Sequence, residues 1–164
     1  MDNVKGVKIA MTNMNNKVAK GSSDEHYTPA ELFRKLGLVF DLDVAAPVGG
    51  SDNVPALHYF DKQTDGLKHK WFGNVWMNPP YSQPTPWVEK FVEHGNGMAL
   101  LPVTRGKWWD LMWQNSDAIV PLVYNFKFER PDKLPSKPIV FRTFLYAIGE
   151  ENVNALSKIN ARVR

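Results

Sequence analysis

The sequence predicts an α/β fold: a mainly parallel sheet covered on both faces by helices, made mixed by antiparallel strands near its C-terminal end. Three observations predict it. Short apolar runs at Leu38–Asp43, Asn74–Met77, Met98–Val103 and Ala118–Tyr124 read as strands. Segments with helix start and stop signals alternate with them, as in a doubly wound sheet. Phe126–Phe128 and Ile139–Ile148 flank a basic, proline-containing loop and read as antiparallel partners.

Each element has a local cause. Residues 1–23 are rich in Asn, Lys and Met without periodicity and read as a flexible tail; residues 24–164 read as one domain. Thr28-Pro29-Ala30-Glu31 has the form of a capping box with proline at the first helical position. Leu32, Phe33 and Leu36 form one apolar face, and Gly37 stops that helix. After the strand ending at Asp43, Ala45 to Asn53 is a small-residue loop with Pro47, Gly49, Gly50 and Asp52 at its turns. Asn74–Met77 runs directly into Asn78-Pro79-Pro80-Tyr81. Thr85-Pro86 opens a helix with Trp87, Val88, Phe91 and Val92 inward and Gly95 or Gly97 at its end. Lys107–Asn115 is the next helix, between the Met98 and Ala118 strands.

In such sheets ligands bind beyond the carboxyl ends of the strands. The loops at Asp43, at Asn78 and at Thr104-Arg105-Gly106-Lys107 all follow strands, so they are expected at one rim.

Composition bounds the function. Of 164 residues 43% are apolar and 23% charged, the balance of a soluble globular domain. The chain has no cysteine, which excludes disulfides and thiolate metal sites. His26, His58, His69 and His94 show no ligand-like spacing, so no metal is expected. No apolar run approaches the ~20 residues of a membrane span, and the tail lacks a signal peptide's apolar segment. The expectation is a cytoplasmic protein with no membrane partner. A net charge of +3 and a pI near 9.1 suit nucleic acid and equally a solvated surface.

Asn78-Pro79-Pro80-Tyr81 is the most specific signal. Two consecutive prolines fix φ and force an extended turn. The Asn78 side chain and the Pro79 carbonyl are then two acceptors directed the same way, matching the two hydrogens of a conjugated NH2 group. The lone pair of such an amine is delocalised into its ring and is a poor nucleophile. Two acceptors favour a pyramidal nitrogen and stabilise the positive charge that develops during attack. Tyr81 offers a ring face for stacking.

These residues carry a resemblance. Tyr27-Thr28-Pro29, Asp41-Leu42-Asp43-Val44-Ala45-Ala46, Asp65-Gly66-Leu67 followed by Trp71, and Asn78-Pro79-Pro80-Tyr81-Ser82 with Trp87 stand in an order and spacing that resembles the phage-type DNA N6-adenine methyltransferases, the Dam family, over about residues 24–146. The resemblance implies a Rossmann-like methyltransferase fold, S-adenosylmethionine as donor and adenine in DNA as acceptor. It assigns catalysis to Asn78, Pro79, Pro80 and Tyr81. It assigns the cofactor to Thr28, Pro29, Asp43, Ala45, Ala46, Asp65, Gly66 and Leu67. Related enzymes acting on cytosine N4 usually carry Ser in place of the Asn. The loop after Asp43 departs from the usual acid-then-Gly-x-Gly pattern, although its small residues still let a ligand approach the backbone.

On the nucleic-acid side, Ser82, Arg105, Lys107 and Trp108 sit on or near the presumed active rim, and Lys127 and Arg130 on the late basic loop. Cations with aromatics suit phosphate contact and base stacking; a helix start with core tryptophans and a solvated loop account for the same residues. Other readings stay open at this point: adenine in RNA, a protein glutamine amide, a non-catalytic nucleic-acid binder, and a metal-dependent nuclease on Asp41 and Asp43.

Overall fold

The computed structural model describes residues 27–103, 106–122, 128–129 and 142–159. In chain order these form α1 (Ala30–Leu36), β1 (Phe40–Asp43), β2 (Ala56–Tyr59), β3 (Val75–Met77), α2 (Thr85–His94), β4 (Gly97–Pro102), α3 (Lys107–Asn115), β5 (Ala118–Pro121), β6 (Thr143–Ile148) and α4 (Glu150–Leu156). The proposed tail at residues 1–23 lies outside the described residues.

One six-stranded sheet has the order β2-β1-β3-β4-β6-β5. Neighbours from β2 to β4 are parallel, and β6 is antiparallel to both β4 and β5. The mixed α/β architecture, with antiparallel strands at its C-terminal end, is therefore as expected. Phe126, Lys127 and residues 139–141, on which the expected antiparallel pairing falls, lie outside the described residues, and the described Glu129 bridges to Tyr27; β6 itself lies between β4 and β5. The cause is in the side chains of β6. Leu145 and Ala147 feed one core and Tyr146 and Ile148 the other, so this strand is apolar on both faces and takes a central position.

The same two-sidedness explains the apolar runs. Trp76, Met98, Leu100, Leu145 and Ala147 pack beneath Leu32, Phe33 and Leu36 of α1 and Ala155 and Leu156 of α4. Their neighbours Val75, Met77, Ala99, Leu101 and Tyr146 pack beneath Val88 and Phe91 of α2 and Trp108 and Met112 of α3. Successive strand residues point to opposite faces, so each face collects every second residue. Full burial of such side chains contributes about 1.5–3 kcal/mol each.

Both early helices stop where expected: Gly37 and Gly95 take left-handed conformations, and their N–H groups donate to Phe33 and Phe91 carbonyls. The capping box does not form. Helix α1 starts one residue later, with Pro29 at its N-cap and no side-chain cap bond, because the Thr28 hydroxyl is engaged elsewhere, as described below. Two elements carried too little periodic signal to be expected. Strand β2 is an edge strand with Leu57, His58 and Tyr59 exposed. Helix α4 begins Glu-Glu-Asn, and its buried Asn152 donates to the Ile148 carbonyl and to Asn96.

Candidate active site

From β1 the chain steps outward to β2, then returns on the other side of β1 as β3. The strand order reverses between β1 and β3, the place where open α/β sheets form a ligand crevice. A cleft of about 520 Å³ opens there. Register sets Asp43 opposite Trp76, so Asp43 at the end of β1 and Asn78 just past β3 stand side by side on its wall. Thr28, Ala45, Ala46, Asp65, Gly66 and Pro80 also line it.

The Asn78 amide is held at both ends. Its Nδ2 donates to Thr28 Oγ1 at 3.3 Å, and its Oδ1 accepts from the Tyr81 hydroxyl at 3.0 Å. Tyr81 also lies within 3.4 Å of the Leu100 carbonyl, and its ring packs against the α2/α3 core. Burial raises the phenol pKa above its ordinary value. The ring thus sits behind Asn78 instead of on the cleft wall. Pro79 is buried.

Asp43 is the electrostatic anomaly of the cleft. It is 3% exposed, and burial pushes its carboxyl up to about 7, opposed by one backbone N–H, from Ala45 at 3.2 Å. Asp61, just past β2 on the same wall, is the reverse. Its carboxylate accepts from the N–H groups of Gly49, Gln63 and Thr64 and from the Thr64 hydroxyl, and these donors, Gly49 first, hold it below the ordinary range.

Asp65 is paired with Lys68 at 3.1 Å and adopts φ of 60°. That turn carries Gly66 onto the loop after β1, where a Cβ would overlap the Val44 carbonyl oxygen. The requirement for glycine here is steric. Trp71 Nε1 donates to the Gly66 carbonyl at 2.8 Å, and Lys90 Nζ to the Leu67 carbonyl at 2.7 Å, which fixes the segment against α2.

Eight of the expected site residues meet in the cleft: Thr28, Asp43, Ala45, Ala46, Asp65, Gly66, Asn78 and Pro80. Pro29, Leu67, Pro79, Tyr81 and Ser82 adjoin it in sequence without lining it. Lys107 is exposed at the start of α3. Trp108, read as a stacking candidate, is instead a core residue, 7% exposed, because it shares the inward face of α3 with Met112. Its neighbour Trp109 stacks on the exposed Trp113. Arg105, Lys127 and Arg130 lie outside the described residues. Sequence reasoning missed Asp61, Lys62 and Trp87 as cleft residues. Asp61 followed by Thr64 carried a turn signal, and Trp87 was read as an inward helix position and as part of the family resemblance, not as a cleft residue.

Asp41 does not join Asp43 at the rim, since its Oδ2 accepts from Asn74 N at 2.7 Å. Among the described residues there is no cluster of three His, Cys, Asp or Glu able to hold a metal ion, and no helix is long and apolar enough to cross a membrane.

A family model described as DNA N-6-adenine-methyltransferase (Dam) matches residues 15–129, a span that contains the whole cleft. The chain belongs to the Dam family. The resemblance read from the motifs is thereby borne out. Over 121 residues the chain is 31% identical to a DNA N-6-adenine-methyltransferase of Haemophilus phage HP1, covering 67% of each protein. Over 76 residues it is 37% identical to a protein of the same description from Escherichia phage T1, covering 43% of this chain and 31% of that one. No solved structure matches the chain.

Proposed function

We propose that this Dam-family chain transfers a methyl group from S-adenosylmethionine to the N6 amine of adenine in DNA, on a Rossmann-like methyltransferase fold. One observation carries the reading: the Asn78 amide and the buried Asp43 carboxylate, from adjacent parallel strands, wall one cleft at the point where strand order reverses.

The cleft fits the donor. A carboxyl at 3% exposure with a pKa near 7 is suited to a cation or hydroxyl donors, and the ammonium of the donor's methionine moiety offsets its burial. Ala45, Ala46 and Gly66 have little or no side chain, so a ligand can lie close to the backbone. Pro29, Asp65 and Leu67 complete the donor segment in this reading, while the Thr28 hydroxyl meets the Asn78 amide. When bound, the donor supplies a sulfonium methyl open to in-line displacement by the amine.

The chain's own residues act on the amine. Asn78 Oδ1 and the Pro79 carbonyl accept its two hydrogens, localise its lone pair and stabilise the charge that develops on nitrogen. The N6 proton then leaves to solvent, so no strong base is needed. Pro80 holds the corner extended. Tyr81 turns from its position behind Asn78 to stack on the extruded base, which offsets part of the few kcal/mol that extrusion costs. Ser82, Arg105, Lys107, Lys127 and Arg130 are assigned to the nucleic acid, with phosphate contacts giving affinity. The phage relatives are consistent with action on DNA in a bacterial host's cytoplasm.

Transfer of labelled methyl to DNA, RNA and protein in parallel, followed by nucleoside analysis, tests the reading. N6-methyladenine is expected in DNA alone. Asn78→Ala is expected to lower turnover by at least about 100-fold, with donor affinity by calorimetry within about twofold of the native protein. Label in RNA or in glutamine overturns the substrate. Equal loss of turnover and donor binding overturns the role of Asn78.

A further inference from the structure

We infer that Thr28 is a positioning residue for Asn78: its hydroxyl holds the amide nitrogen and thereby directs the amide oxygen toward the reacting amine. This rests on the reading of Asn78 given above, and it assigns Thr28 a role other than a donor contact or a helix cap.

The two residues are 50 positions apart in the chain, and the fold brings Asn78 Nδ2 to 3.3 Å from Thr28 Oγ1. Thr28 is 3% exposed, and its position is set independently of Asn78. Its carbonyl accepts from Asn53 Nδ2 at 3.2 Å, and that amide also donates to Glu129 Oε2 at 2.9 Å. Tyr27, the residue before it, exchanges two backbone hydrogen bonds with Glu129. Pro29, the residue after it, caps α1. The hydroxyl is therefore presented from a fixed backbone.

The need for such a device follows from the two ends of an asparagine amide. Its oxygen accepts and its nitrogen donates, and the two have nearly the same shape. Turned by 180°, Asn78 would oppose an NH2 donor with another NH2 donor, and the stabilisation of the developing charge would be lost. In the orientation seen here the Thr28 hydroxyl accepts from Nδ2, which holds the amide nitrogen on the Thr28 side and leaves Oδ1 on the side away from it. In the described structure the Tyr81 hydroxyl donates to Oδ1 from the opposite side, occupying the acceptor that the substrate amine takes over.

The test uses the full chain and three variants. Thr28→Val keeps the shape and removes the hydroxyl; Thr28→Ser keeps the hydroxyl. Thr28→Ala replaces the valine variant should that one fail to fold. Thr28→Val is expected to lower kcat by about 10–100-fold, the usual effect of a small misplacement at a reacting group, with KM for DNA and donor affinity within about threefold. Thr28→Ser is expected to retain most of the turnover. The second readout is NMR of the Asn78 side-chain amide, assigned by its disappearance in Asn78→Ala: its protons exchange slowly in the native protein and Thr28→Ser, and about tenfold faster in Thr28→Val.

If the native protein methylates DNA and Thr28→Val does so at the native kcat, the inference falls. It falls as well if Thr28→Val loses donor binding as steeply as turnover while the Asn78 amide keeps its protection. If the native protein leaves adenine unmethylated but the amide protection follows the hydroxyl as described, the clamp stands and the methylation reading falls.

Discussion

Asp43 and Asp61 follow neighbouring parallel strands and line one cleft, yet the protein treats them oppositely. Asp61 gathers three backbone N–H groups and a hydroxyl, and its charge stabilises the turn from residue 61 to 64 and the Gly49 loop. Asp43 is buried with one backbone N–H, from Ala45, and titrates near 7. A carboxylate whose acceptors are filled by its own backbone holds the fold, whereas one whose burial is poorly offset is available to a ligand. In the proposed reading the difference separates the scaffold of this cleft from its donor-binding surface, though both residues look alike in the sequence.

The largest test of that contrast is Asp43→Asn. An unfolded carboxyl titrates near its ordinary 3.8 and the folded one near 7. Between these values the folded protein binds more protons, so stability declines as pH rises through that window, and the penalty is complete above it. At about 1.4 kcal/mol per unit, Asp43→Asn is expected to stabilise the ligand-free protein at pH 8 by up to about 4 kcal/mol. Its unfolding free energy should lose the pH 4–7 slope. The same change should weaken S-adenosylmethionine binding about 100-fold, the loss of a charge-assisted contact. Denaturant melts across pH and calorimetry check both; unchanged donor affinity would remove Asp43 from the site.

A smaller effect of opposite sign is expected from Asp61→Asn. It weakens several acceptor bonds at once and should destabilise the protein, with the melt shifting down at neutral pH and donor affinity within about threefold. A donor-binding loss matching that of Asp43→Asn, without a stability loss, would reverse the assignment of the two acids.

Smallest is Tyr81→Phe. The ring and its stacking surface survive, and the hydrogen bonds to Asn78 Oδ1 and the Leu100 carbonyl are lost. Turnover is expected within about threefold of native, under 0.7 kcal/mol. A loss above tenfold in initial-rate measurements would show the hydroxyl to be needed in the reaction itself.

Much of this was legible in the residue order. Both α1 and α2 end at the glycines read as stops, α3 has the bounds expected of it, and the Asn78 corner follows its strand directly. Those features are local: apolar spacing, cap chemistry and proline geometry act over a few residues. Strand β2 was not legible, because four residues with three exposed side chains carry no alternation. The face of α3 on which a tryptophan falls was also undecided until the helix docked, burying Trp108 and exposing Trp113.

By itself, then, the sequence indicated a mixed α/β sheet with an Asn-Pro-Pro-Tyr corner past an apolar strand, and it was enough to indicate the Dam family. Only the tertiary structure decided which acid of the cleft lacks compensation and which hydroxyl meets the Asn78 amide. The physical reason is range. Periodicity and turn chemistry are written within one or two helical turns, whereas the solvation of Asp43 and the pairing of Thr28 with Asn78 depend on strand register and on groups far apart in the chain.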